Sequence, residues 1–216
     1  MKKITIQQPP VATEKENKAF ERIYGNLFFA GKNIKSITLA ACGEDGDNSL
    51  AAWKLARCAA AHGEKVLLVD ADFSGSRMTE TFGISLGGDG LGLAHYLNGR
   101  CSLDDVVYET SLENISLVPV GANVANPLLL LASPEFRAMA DTLVQRYDRV
   151  LFLAPNNRKL AAAEASFTDG AVLIARDNKT PFSKVVLMKE MLEKTGSALL
   201  GCIVLDVART DHYTAG

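Results

Sequence analysis

Short, unbroken apolar runs recur along the chain, and stretches with helical spacing lie between them. The runs "SITLAA" (36–41), "KVLLVDAD" (65–72), "ISLVPVG" (115–121), "RVLFLAP" (149–155), "GAVLIAR" (170–176) and "ALLGCIVLDV" (198–207) predict strands buried on both faces. "SLAAWKLARCAAAHG" predicts an alanine-rich helix that Gly63 stops. "SPEFRAMADTLVQRY" (133–147) predicts another, with Ser133 as cap and Pro134 in its first turn. "PFSKVVLMKEMLEKTG" (181–196) predicts a third. Ahead of these, "TEKENKAFERIYGNLFFA" brings Phe20, Ile23, Leu27 and Phe28 near one helical face, and Thr13 with Glu16 has the spacing of a capping box. Gly25 weakens the middle of that helix.

Strands alternating with helices imply an α/β fold, a three-layer, doubly wound and mainly parallel sheet flanked by helices. Residues 1–12 are polar and contain Pro9-Pro10, which predicts a flexible amino-terminal tail. Residues 13–207 form a single domain in this reading, and 208–216 a carboxyl-terminal tail.

Composition narrows the function. Charged residues make up 22% of the 216 residues and the net charge is −2, so nothing global points to nucleic acid or an anionic membrane. No apolar run approaches the roughly 20 residues that span a bilayer. "MKKITIQQPP" lacks the apolar core of an export signal, so the chain is expected to be cytoplasmic. Cys42, Cys58, Cys101 and Cys202 form no CxxC pair and His62, His95 and His212 stand alone, which argues for free thiols and against a metal centre.

In a doubly wound sheet, ligands sit beyond the carboxyl ends of the strands, here 42–49, 70–77, 119–127, 153–158 and 176–180. The first is "CGEDGDNSL". A working P-loop wraps backbone N–H groups around phosphates, sets a lysine on the β/γ-phosphates and a Ser/Thr hydroxyl on magnesium. Ser49 stands at the hydroxyl position and Gly43 and Gly46 keep the loop flexible, but Asn48 replaces the lysine and Asp47 the glycine before it. A unit charge about 4 Å from another is worth roughly 4 kcal/mol at an effective dielectric near 20, so two such changes oppose what a helix N-terminus offers. The bland alternative is a solvated acidic turn, carrying Glu44, Asp45 and Asp47, that caps the next helix. Asp70 and Asp72 in "VDADF" are placed to hold magnesium-bound water, or to serve as ordinary loop caps. "LFLAPNN" ends without a carboxylate. "RDNKT" (176–180) and "LDVART" (205–210) have the composition of ordinary loops, and Trp53 that of a core residue that would otherwise partly fill a nucleotide's place.

From about Lys18 to Val207 the chain resembles the bacterial tyrosine kinases of capsular and exopolysaccharide export, relatives of the ParA/MinD group of P-loop ATPases. The resemblance rests on "GEKVLLVDADFSGSRMTETFGI", on the long segment from "GLGLAHYLNGR" to "RVLFLAP" with its Asn-Pro-Leu-Leu turn after a strand-end glycine, and on "TDGAVLIARDNKT". It implies a P-loop NTPase-like fold. The departures fall on the chemistry. The family's Gly-Lys-Ser/Thr is Asp47-Asn48-Ser49 here; Phe73-Ser74-Gly75 follow the second aspartate where arginine is usual, with Arg77 later; and the Walker B aspartate position is taken as Leu153. The assembly motif of the amino-terminal helix becomes Lys18, Glu21 and Tyr24, and only Tyr213 stands where the family has a tyrosine cluster.

The resemblance therefore implies a pseudokinase: a regulatory module with vestigial Gly43, Gly46, Asn48, Ser49, Asp70 and Asp72 and no required cofactor or metal. Its expected partner is the cytoplasmic tail of a membrane chain-length regulator or an active kinase paralogue, met through Lys18, Glu21 and Tyr24 in a homo- or hetero-oligomer and recruiting the module to the inner membrane face. The alternative is an active autokinase or ATPase that uses ATP and Mg2+, with Lys54 or Lys32 supplying the missing charge. A membrane- or DNA-binding positioning protein would need a basic patch or a basic amphipathic helix, and neither is present in the sequence.

Overall fold

The computed structural model describes residues 2–7, 12–29, 33–43, 48–73, 75, 77–84, 86, 90–122 and 124–207. The described residues form eight strands, β1 (Lys2–Lys3), β2 (Ser36–Ala41), β3 (Val66–Asp70), β4 (Tyr108–Glu109), β5 (Ile115–Val118), β6 (Arg149–Leu153), β7 (Ala171–Arg176) and β8 (Leu199–Leu205). They also form nine helices, α1 (Glu14–Phe28), α2 (Asn48–Ala61), α3 (Arg77–Thr81), α4 (Leu93–Leu97), α5 (Leu103–Val106), α6 (Pro127–Leu131), α7 (Pro134–Arg146), α8 (Arg158–Ala165) and α9 (Phe182–Lys194). The strands make one sheet in the order β1-β4-β5-β3-β6-β2-β7-β8, parallel from β5 to β8 and antiparallel only between β4 and β5. This is the expected three-layer, doubly wound architecture.

Alternate residues of each strand feed opposite layers. Leu151 and Leu153 of β6 pack with α1 and α2, while Val150 and Phe152 pack with α4 and α7. Nearer the β8 edge, Ala40 and Leu173 meet α8 and α9. The two-faced burial explains why these strands are unbroken apolar runs.

Helix α1 begins where the capping box predicts: Glu16 N–H donates to Thr13 Oγ1 at 3.3 Å, and Thr13 N–H returns a bond to Glu16 Oε2 at 2.8 Å. Its buried residues Phe20, Tyr24 and Phe28 recur every four positions and lie on α2 and the sheet edge. Trp53 is fully buried with its ring centroid 5.2 Å from that of Phe82, so it is core and does not stand in a nucleotide's place.

The expected tail over 1–12 needs one correction. Lys2 and Lys3 pair with Tyr108 and Glu109, and Ile4 and Ile6 are buried. The alternation in "KKITIQ" is a period-two pattern too short to stand out beside the long central strands. Residues 8–11 and the tail 208–216, with Tyr213, lie outside the described residues.

Candidate functional site

Because β2 lies between β6 and β7, its carboxyl end is flanked by theirs, and α2 starts a few residues later. Here the phosphate loop would sit. Gly43 opens it with φ +108°, a conformation that favours glycine. The expected loop members Gly46, Glu44, Asp45 and Asp47 lie outside the described residues.

Asn48, at the lysine position, is buried, and its amide points into the sheet. Nδ2 donates to the carbonyl of Ala154 at 2.9 Å and to that of Leu39 at 3.2 Å. A residue expected to face phosphate instead ties the ends of β2 and β6 together. Ser49 beside it is 1% exposed. A lysine cannot copy this arrangement without burying an ammonium in the core.

On the next strand but one, Asp70 and Asp72 close β3 and are both buried. Asp72 N–H donates to Asp70 Oδ1 at 3.1 Å, so at least one oxygen of the first aspartate shapes the turn. Asp70 sits opposite Leu153 in the ladder. Leu153 and the next residue, Ala154, are both buried and apolar, so a one-residue shift in the Walker B position still leaves the strand end without a carboxylate.

A carboxylate does approach from a place the sequence reading missed. Glu164 of α8 is fully buried and neither of its oxygens accepts a hydrogen bond among the described residues. Desolvation, with Asp70 and Asp72 nearby adding repulsion, pushes its carboxyl well above the usual range. The Thr38 hydroxyl lies near enough to ease that shift, yet it is in hydrogen-bonding geometry with Thr168 Oγ1 at 3.2 Å rather than with Glu164. Among the described residues no cluster of three His, Cys, Asp or Glu side chains has the geometry to hold a metal ion.

Of the cations expected to compensate, Lys54 is elsewhere. Lys54 is 8% exposed and its Nζ lies 2.5 Å from Glu16 Oε1, against the Phe20 ring. That pairing, with the Thr13 amide, holds the Glu16 carboxyl down to about 2. Lys32 lies outside the described residues, as do Ser74 and the side chain of Arg77. Lys184 of α9, which the sequence reading passed over, instead comes to the loop: a Cβ built on Gly43 would meet its Cδ at 2.9 Å and its Nζ at 3.3 Å. A cavity of about 590 Å3 opens at this point, between the starts of α8 and α9. The larger cavity of about 650 Å3, around Asn114 and Arg146, lies at the opposite ends of the strands and is not where a doubly wound sheet binds ligands.

Other polar ends are structural. Thr180 Oγ1 accepts from Arg176 N–H at 2.9 Å and Arg176 pairs with Asp206 at 3.1 Å, which makes 176–180 and the described start of 205–210 ordinary loops. None of the four cysteines is in a disulfide, and burial pushes the Cys42 and Cys58 thiols up to about 12. His95 Nδ1 accepts from Gly92 N–H at 3.2 Å, and His62 meets Glu21 Oε2 at 3.1 Å.

On α1, Lys18 and Glu21 are on the surface, Lys18 bonded to Glu14 at 2.7 Å. Tyr24 is not. It is 1% exposed, stacks on His62 at 5.0 Å and donates to Glu64 Oε2 at 2.7 Å, so the expectation that it meets a partner is corrected. It belongs to the buried stripe of Phe20 and Phe28, four residues to either side.

Comparison with known proteins agrees with this geometry. A family model described as "AAA domain" matches residues 47–192. The tyrosine-protein kinase CpsD of Streptococcus agalactiae is 32% identical over 193 residues, covering 88% of this chain and 83% of that protein. The solved chimerical protein CapA2B2 superposes with a TM-score of 0.82 at 26% identity, over 94% of this chain and 88% of that one. The septum site-determining protein MinD of Pyrococcus horikoshii OT3, solved with Mg-ADP, shares the fold at a TM-score of 0.66 and 24% identity, over 79% and 69% of the two chains. Fold, strand-end aspartates and relatives converge: the chain belongs to the AAA-domain P-loop proteins, within the bacterial tyrosine-kinase family of capsular and exopolysaccharide export.

Proposed function

We propose that this chain is a kinase-like regulatory module of polysaccharide synthesis and export that works by binding protein and does not transfer phosphate. The observation that carries the reading is Asn48, whose amide is spent on the carbonyls of Leu39 and Ala154 at the position where the family's lysine meets phosphate. Phosphoryl transfer depends on positioned cations that neutralise spreading charge. With Lys54 committed to Glu16 and β6 ending in Leu153, the transferring machinery lacks both its cation and its second acid. Relatives bear the name tyrosine-protein kinase, which makes the module's setting a kinase system.

The partner in this reading is the cytoplasmic tail of a membrane chain-length regulator or an active kinase paralogue. Lys18 and Glu21 are its contacts: their in-chain pairs are exposed and cost little to exchange. The module is cytoplasmic and reaches the membrane through that partner; none of its described helices is long and apolar enough to cross a bilayer.

The test is turnover with Mg·ATP. The proposal expects no autophosphorylation and no ATP hydrolysis above background, and a heterocomplex with a conventional family member that Lys18→Glu with Glu21→Lys weakens. Turnover that disappears in Asp70→Asn contradicts it and installs the active autokinase; Lys184 beside Gly43 is the observation on that side.

A further inference from the structure

The cavity beside Gly43 has a charge pattern that the regulatory reading does not use. Arg158 and Lys159 at the start of α8 and Lys184 of α9 line it, and no carboxylate does among the described residues. None of the three is in an ion pair among the described residues. Asp70 and Asp72, which would draw a divalent ion, are not part of its lining. Three positive charges around one cavity, two from α8 and one from α9, attract an oxyanion and repel a metal ion.

The position of Lys184 follows from the backbone. Its stem lies across Gly43, where a side chain would collide with it. Sheet order makes this possible: β7 is the neighbour of β2, so the helix that follows β7 begins over the loop that follows β2. The donors at the start of α8 are already used, because Asn157 Oδ1 accepts from the N–H groups of Lys159 and Leu160 at 3.0 and 3.3 Å. Side-chain cations, rather than that helix terminus, must hold the anion.

The same cavity has an apolar side. Lys184, Leu187, Met188 and Met191 recur at the three- and four-residue spacing of one helical face, with Leu187 43% exposed. An anion against Lys184 would carry its apolar or aromatic body along α9 toward Met191, a thioether suited to an aromatic ring.

We propose that this cavity is a metal-independent subsite for a phosphate group borne on an apolar or aromatic body, with Lys184 supplying from α9 the positive charge that Asn48 does not. An aryl phosphomonoester and a nucleoside phosphate share this chemistry. The subsite stands independently of the regulatory reading. Turnover with Mg·ATP would sink that reading and leave this one intact, and absent metal-free binding would do the reverse.

The test titrates phenyl phosphate, ADP and inorganic phosphate, each in EDTA, into the full chain, with calorimetry as readout. Binding of phenyl phosphate or of ADP more tightly than inorganic phosphate is expected, and the tighter of the two names the source. Lys184→Gln should weaken that binding about tenfold, the loss expected for one charge-assisted bond. Arg158→Gln should weaken it as well, and rising salt should weaken it further. Lys184 and Arg158 are both exposed, so neither variant threatens the fold. No binding at millimolar concentration, equal binding of all three probes, or affinities unchanged in both variants would overturn the subsite.

Discussion

The two ends of the sheet were built to different specifications. At the amino ends of the strands Asp169, Asp148 and Glu64 all have partners. Asp169 accepts from the N–H groups of Lys35 and Ser36 at 2.8 Å, and Asp148 from Lys65 N–H at 2.8 Å. Glu64 takes both Tyr24 Oη at 2.7 Å and Arg149 Nη2 at 2.6 Å, while the Arg149 guanidinium covers the Phe28 ring at 4.6 Å. Midway along the sheet, beside Thr38, Glu164 is buried with neither oxygen hydrogen-bonded among the described residues; at the carboxyl ends the aspartate pair is turned partly on itself and three cations line a cavity. Saturated polar groups hold a fold together; unsaturated ones at the carboxyl ends mark where the family does its chemistry. Between them, Asn48 is a structural amide bonded to the carbonyls of Leu39 and Ala154.

Substitutions should separate the two ends by size. Arg149→Ala should cost most, on the order of 3 kcal/mol, because it strands Glu64 in a site that is 19% exposed and uncovers Phe28. Denaturant unfolding with an unchanged slope is the check. Asn48→Ala at the other end should cost about 1–2 kcal/mol, the worth of its two bonds to carbonyls. A loss as large as that of Arg149→Ala would erase the contrast between the ends. Asn48→Lys should restore no turnover, since β6 still ends without an acid.

Two carboxyls give the comparison opposite signatures in pH. Glu164 binds its proton more tightly folded than unfolded, so its contribution makes stability fall as pH rises above the ordinary glutamate value. Glu164→Gln should therefore raise the melting temperature more at pH 8 than at pH 5, by about the sign rule that linkage fixes. Glu16 is the reverse. With Lys54 and Thr13 holding it down to about 2, its stabilisation is complete above its ordinary value near 4.5 and is lost as pH falls toward 2. Glu16→Gln should flatten the acid limb and leave neutral stability to the capping residue that remains. Lys18→Ala is the smallest, under about 0.5 kcal/mol, because its pair with Glu14 is exposed on both sides. Its effect should appear in partner binding instead.

How much of this was legible beforehand followed from the range of each signal. The strand of 36–41 and the cap at Thr13 are local patterns and were read correctly from the chain alone. So was the alternation that fixes the three-layer sheet. Helix α8 was passed over although Asn157 and the run "KLAAAEA" announce it, because eight residues offer barely two turns of periodicity. Glu164 and Lys184 were invisible for another reason: each reaches the site only through the order β6-β2-β7, a long-range fact that no window of sequence contains. Tyr24 shows the limit of transferred motifs. Position in an assembly motif says which residue occupies a place, whereas its ring and hydroxyl partners, His62 and Glu64, decide that the place is buried.

The proposed regulatory function expects no nucleotide to be held through magnesium beyond β2. Calorimetric titration of ADP and ATP, with Mg2+ and again with EDTA, measures it directly. The account predicts that Mg2+ adds no heat and no affinity, whatever weak anion binding remains at Lys184. A micromolar site that appears only with Mg2+ and vanishes in Asp70→Asn would contradict it.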